Sequence, residues 1–196
     1  MSKKITSLFN FKKLQKFSSA LMLPIAILPA AGLILAIGIS FNIELLANCG
    51  GLIFANLPLL FCVGIVIGLT GDGSSSLSAI ISYMIMNATM GTQLGITAES
   101  VAASNGDYAM ILGVPTLQTG VFGGLIVAIF VYLLYTRFHN IELPQFLGFF
   151  GGKRFVPIIT AVVAIFVADL LLQLFGYVPK GIVLLSMQLT FGPFME

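Results

Sequence analysis

The chain predicts an all-α membrane protein, and three observations carry that reading: apolar composition, long uncharged runs, and basic residues gathered into a few segments. Of its 196 residues 58% are hydrophobic and only 8% are charged, against roughly 25% charged in a soluble domain. Sixteen Asp, Glu, Lys and Arg side chains cannot cover a water-facing surface of this size. The 21 glycines fit a membrane chain, because glycine is commoner in membrane helices than in soluble ones. A hydrocarbon core about 30 Å thick takes roughly 20 apolar helical residues to cross.

The first element is amphipathic. Leu8, Phe9, Phe11, Leu14, Phe17 and Leu21 recur at helical spacing, while Lys12, Lys13 and Lys16 fall mostly opposite. This reads as an N-terminal helix on the membrane surface, its lysines near anionic headgroups. A cleaved signal peptide fits poorly, since the apolar run that follows leads into further spans. Span one covers residues 20–39, with Pro24 and Pro29 predicting a kink or an irregular turn. Span two, residues 52–70, holds no charge. Span three, residues 75–90, is short and serine-rich. Residues 117–136 and 155–176 form spans four and five. The run 181–191 is too short to cross and predicts a C-terminal interfacial or re-entrant helix.

Charge placement orients these five transmembrane helices. With the N-terminus in the cytoplasm, Lys3, Lys4, Lys12, Lys13, Lys16, Arg137, Lys153 and Arg154 are all inside, and Lys180 alone is outside. Glu44, Glu99 and Asp107 then lie in external loops. Dropping span three would export the segment 137–154 and spoil the pattern, so five spans are favoured over four.

Few side chains invite chemistry. No phosphate loop, zinc-type cluster or triad around His139 is visible, and no metal or cofactor is expected. Cys49 and Cys62 match no redox or metal spacing, and Cys62 reads as a small buried hydrophobe. In GDGSSSL, Asp72 or Ser74 reads as a helix cap. Asp169 lies mid-way along span five, where an ionisable group must face protein or water or be protonated; it is the intramembrane polar candidate. Gly64 with Gly68, and Gly120 with Gly124, have the small-residue spacing of close helix packing, internal or between subunits.

Four phrases go further: LQKFSSALMLPIAILPAAGLILAIG (residues 14–38), FANLPLLFCVGIVIGLTGDG (54–73), GVPTLQTGVFGG (113–124) and RFHNIELPQFLGFFGGKRFVPI (137–158). Together, in order, they resemble the membrane-embedded enzyme IIC domain of the phosphoenolpyruvate-dependent sugar phosphotransferase system, glucose branch. The resemblance implies a permease of the bacterial inner membrane that carries a sugar inward and hands it to a phosphocysteine on a IIB domain. Phosphate would reach that cysteine through enzyme I, the histidine phosphocarrier and a IIA domain. Charged sugar phosphate cannot return through the bilayer.

The same resemblance marks what residues 1–196 lack. The family's sugar-binding phrases, His-His and Gly-Ile-Thr-Glu, do not occur, nor does the IIB phrase Cys-Ile-Thr-Arg-Leu-Arg. The chain therefore matches an N-terminal scaffold and dimerisation half, as in a fragment, a split gene or a truncated product, and no substrate-binding residue is assigned. Glucose is the expected sugar, with N-acetylglucosamine the alternative. A homodimer in lipid is expected, with no nucleic-acid partner. Phosphotransfer by the isolated chain is not expected. Asp169 departs from the apolar or small residue expected there. Lys153 and Arg154, just before a span whose first turn holds Pro157, are the candidates for coupling through a cytoplasmic loop at residues 142–157. The rivals are a non-transporting scaffold and a secondary transporter not coupled to phosphate.

Overall fold

Pairs of close contacts, rather than single helices, set the architecture. The computed structural model describes residues 11–104 and 106–174, and the expected C-terminal helix at 181–191 lies outside them. In chain order the elements are α1 (Phe11–Ser40), α2 (Glu44–Ala55), α3 (Leu57–Thr70), α4 (Gly73–Gln93), α5 (Ala98–Ala103), β1 (Tyr108–Ile111), β2 (Val114–Leu117), α6 (Gly120–Phe138) and α7 (Phe155–Leu174), with two 3-10 turns at Gln145–Phe150 and Gly152–Arg154. These residues divide into two units. One holds the residues before Met84 together with Thr119–Ala161; the other holds Met84–Gln118 and the residues from Val162 onward.

In the first unit, α1 packs against both α2 and α3. A Cβ on Gly38 would collide with the Ala47 amide nitrogen, and one on Gly50 would lie 2.7 Å from the Leu35 backbone. Further on, a Cβ on Gly64 would lie 2.9 Å from Pro24 and one on Gly68 would lie 2.6 Å from the Ala20 Cβ. Numbers fall along α1 as they rise along α2 and α3, so the pair lies antiparallel to α1 over its length. The small-residue pair Gly64/Gly68 is thus spent on internal packing.

From Phe11 onward the expected surface helix is continuous with span one, and α1 runs through Pro24 and Pro29 without interruption. The break falls instead at Asn56, where α2 and α3 meet at 57°. Pro58 explains it: proline has no amide to offer the Phe54 carbonyl, as a continuing helix would need, and is accommodated instead in the first turn of a new helix. Asn56 Nδ2 donates to the Leu52 carbonyl at 2.9 Å, capping the interrupted end.

Gln15–Ser40, Gly120–Phe138 and Gly152–Leu174 are long and apolar enough to cross a membrane, and the bent α2–α3 pair is a fourth if counted as one span. Helix α4, the third expected span, has the length but not the apolarity. Its buried face explains that, because Ser75, Ser78, Ser82 and Asn87 are all turned inward. Ser78 Oγ donates to the Ser74 carbonyl at 2.8 Å and Thr89 Oγ1 to the Ile85 carbonyl at 2.8 Å, so hydroxyls settle on their own helix. Helices α3 and α6 run parallel: Gly124, early in α6, abuts the Pro58 carbonyl, and Tyr135, late in α6, reaches Asp72 just past α3. The chain between Thr70 and Gly120 must therefore travel back by the length of α3. In that interval α4, about 30 Å long at 1.5 Å per residue, has the reach.

In the second unit, β1 and β2 form an antiparallel hairpin, Tyr108 facing Leu117 and Ile111 facing Val114. Span four was expected from residue 117, but Leu117 belongs to this strand and the helix starts at Gly120. The two turn residues Leu112 and Gly113 have φ of 51° and 81°, the left-handed pair of a tight hairpin. A Cβ on Gly91 of α4 would collide with the Pro115 carbonyl, so glycine is what lets β2 lie against the helix.

Candidate functional site

The first unit's polar residues converge on the turn between α3 and α4. Gly71, at φ 70°, ends α3 in the left-handed conformation, with its amide donating to the Ile67 carbonyl. Asp72 follows. Its Oδ1 accepts from the Ser74 amide at 3.3 Å, the capping role expected of it. Ser75 Oγ donates to the Asp72 carbonyl at 2.6 Å, and the Asp72 amide contacts Thr70 Oγ1 at 3.3 Å.

The second carboxylate oxygen does something else. Asp72 Oδ2 accepts from the Tyr135 hydroxyl at 2.7 Å and lies 3.0 Å from Lys153 Nζ. These two donors hold the Asp72 carboxyl down at about 2, the Tyr135 hydroxyl contributing most and the Lys153 cation next. Tyr135 is buried in the last turns of α6, with His139 stacked on its ring at 5.0 Å. His139 Nδ1 also meets the Tyr135 carbonyl at 2.9 Å. Three segments distant in sequence are thus joined at one carboxylate.

The structure separates the two cations that the sequence paired. Lys153 is engaged with Asp72, although its side chain is 61% exposed. Arg154 folds back on its own loop: Nη1 donates to the Phe149 carbonyl at 3.3 Å and the guanidinium sits 4.8 Å over the Phe149 ring. The Gly152 amide donates to the Ile141 carbonyl at 2.8 Å, and Gly152 itself has φ 65°, which favours glycine. Residues 139–143, 148, 151 and 152 line an open concavity beside this turn. The Phe138 and Phe155 rings meet edge to face at 6.1 Å, closing the loop's base.

Asp169 belongs to the second unit. It is buried, and Gln93 Nε2 donates to its Oδ1. Its carboxyl therefore faces protein. Cys62 is fully buried in the first unit, its thiol 3.9 Å from the Ala79 carbonyl, whereas Cys49 is exposed. Sequence reasoning treated Asp72 as a cap alone and passed over Tyr135. The signal was available, since the proposed topology puts the lone acid of the turn at residues 71–73 on the same side as Lys153.

Helices of this length and apolarity, tied at one end by a polar turn and a basic loop, define a polytopic helical membrane protein. Comparison with known families narrows the class: the sequence profile of the phosphotransferase system EIIC family matches residues 18–195. The chain belongs to that family. It is 44% identical to the phosphotransferase system glucose-specific EIICBA component of Staphylococcus saprophyticus, over 81% of this chain and 26% of the relative. The chain thus spans about a quarter of the length of that relative.

Proposed function

We propose that this chain provides the scaffold portion of a sugar permease of the phosphoenolpyruvate-dependent phosphotransferase system, with glucose as the sugar. The glucose-specific name of the 44% identical relative supports that choice of sugar. On this reading the chain works with a sugar-binding second half of the IIC domain and with IIB and IIA domains, which the relative carries as a single EIICBA component. Phosphate arrives through the histidine phosphocarrier, and the scaffold pairs with a second copy in the lipid of the inner membrane.

The convergence at Asp72 supports the orientation. The end of α3, the end of α6 and the turn before α7 meet there at Lys153, with Arg137 in the last turn of α6 and Arg154 next in sequence to Lys153. With that end in the cytoplasm, α1, the α2–α3 pair, α4, α6 and α7 each cross once, and α4 crosses with its serines facing protein. Residues 142–157 then face the soluble domains and act as the coupling segment. The folded concavity beside Gly151 and Gly152 offers such a surface.

Two measurements test this. Single cysteines at Asn140 and Ser104, in a background lacking Cys49 and Cys62, should be labelled from inside and outside respectively; labelling of Asn140 from outside intact cells overturns the orientation. In the protein reassembled with its second half and IIB domain, glucose uptake should stop when the histidine phosphocarrier is removed. Uptake that survives means ion-driven transport instead.

A further inference from the structure

We infer that Asp72 is a positioning residue that latches the loop at residues 139–154 through Lys153, and that Arg154 has no share in the latch. The carboxylate is divided between two tasks. One oxygen stays on its own helix, accepting from the Ser74 amide, and the other leaves it for Tyr135 and Lys153. A cap alone needs one oxygen. The second oxygen is aimed because the turn is held from behind: Gly71 sets its backbone, and Thr70 and Ser75 bond to the Asp72 main chain. Tyr135 is equally fixed, buried in α6 and stacked on His139. Two of the three partners are therefore held by their surroundings, and Lys153 is the exposed one that docks onto them.

Energy argues for position over stability. An ion pair with so exposed a lysine is weak, because water screens it and ordering the side chain costs entropy. Such a pair hardly affects whether helices pack, but it decides where a surface loop spends its time. The loop otherwise closes mainly on itself, through Gly152 to Ile141, Gly151 to Gly148 and Arg154 to Phe149. Lys153 sits two residues before α7, so its capture by Asp72 sets the angle at which the loop leaves that helix.

The chemistry makes the roles separable. Asp72→Asn keeps an oxygen for the Ser74 amide, since asparagine caps as well as aspartate, but removes the charge that holds Lys153. Lys153→Gln removes the same pair from the other side, and Lys153→Arg restores a cation. Hydrogen exchange of the peptide covering residues 139–154 is the direct readout, measured on the intact chain in lipid nanodiscs. Asp72→Asn and Lys153→Gln should each speed its exchange about two- to fivefold. The double variant should be no faster than either alone, because both remove one interaction. Lys153→Arg should stay at the starting rate. Asp72→Asn combined with Arg154→Gln should instead show the product of the two single effects. Unchanged exchange in both single variants overturns the latch, as does simple multiplication of the Asp72 and Lys153 effects.

The functional arm rests on the coupling role proposed for residues 142–157 and is read separately. In the reassembled transporter, Asp72→Asn and Lys153→Gln should lower phosphate-coupled uptake to the same level at equal membrane abundance, with Lys153→Arg retaining it. If exchange quickens but uptake holds, the latch stands and the coupling role falls.

Discussion

Two seams in the first unit are built from opposite materials. Along α1, contact with α2 and α3 is made by glycine, alanine and proline, and backbones approach until no side chain fits between them. At the turn before α4, contact is made by a serine hydroxyl, a carboxylate, a phenol and an ammonium. Lipid is as apolar as leucine, so burying apolar surface gives helices little reason to associate there, and close packing has to supply it. Polar groups have the converse property. They cannot remain in hydrocarbon unpaired, so each dictates where its partner must be. The small-residue seam sets how near two helices lie; the polar seam sets which ends meet.

The small-residue seam should break most severely. Gly50 and Gly51 are neighbours in α2 with opposite surroundings, since a Cβ on Gly50 meets the Leu35 backbone at 2.7 Å while one on Gly51 meets nothing within 4 Å. Gly50→Ala should therefore destabilise by about 1–3 kcal/mol, as forced overpacking does. Gly68→Leu, aimed at Ala20, should do worse and lower the yield of folded protein. Thermal unfolding of detergent-solubilised protein, followed by size-exclusion chromatography, measures both. Equal melting temperatures for Gly50→Ala and the parent would show that this seam gives way more easily than its geometry implies.

The polar contact in the second unit should come next. Replacing Asp169 with leucine removes the hydrogen bond from Gln93, whose own side chain is exposed and can turn to water, so the cost should be about 0.5–1.5 kcal/mol. Asp169→Asn can still accept from Gln93 and should lie close to the parent. If the two variants melt together, the carboxyl contributes through something other than this hydrogen bond.

How much of this could be read from the chain follows the same division. Apolar runs located four of the helices well, because a hydropathy average needs no partner. The spacing of Gly64 and Gly68 announced a close helix approach but not its target, which depends on how the chain folds back. Helix α4 was the weakest element in the sequence for a physical reason: Ser75, Ser78 and Ser82 lower its average, yet they are buried and face protein. The break at Asn56 was written in Pro58 and was passed over in favour of Pro24 and Pro29, two prolines that α1 accommodates. The β-hairpin carried its turn in Leu112–Gly113, although leucine in a left-handed position is no ordinary signal. At the site, Lys153 and Arg154 looked like one feature, because adjacency in sequence says nothing about which cation finds an acid. Asp72 and Tyr135 stand 63 residues apart, and that pairing needed the fold.

Gly51→Ala should have a smaller effect of opposite sign. Open space around the position leaves only the backbone term, and alanine in a helix interior is favoured over glycine by about 0.5–1 kcal/mol. The variant should melt slightly above the parent. A melting temperature below the parent's would mean that a lipid or a second copy occupies that space.

The subtlest expectation concerns pH and the latch. The Asp72 carboxyl is held at about 2, below the ordinary value of 3.8, because Tyr135 donates to it and Lys153 lies against it. A group whose folded value is depressed contributes its stabilisation above the ordinary value, and loses it as the pH falls through the folded one. The latch should therefore be fully formed throughout the neutral and mildly acidic range. It should weaken only between 3.8 and about 2. Exchange of residues 139–154, corrected for the intrinsic chemical rate, should be flat down to about pH 5 and rise only in stronger acid. In Asp72→Asn the corrected rate should already be raised at neutral pH and show no acid step of its own. A parent transition above about pH 5 that vanishes in Asp72→Asn would mean that the carboxylate is not held down by its partners. A transition that survives in Asp72→Asn would place the titrating group elsewhere in the loop, and Lys153 would then be anchored by something other than Asp72.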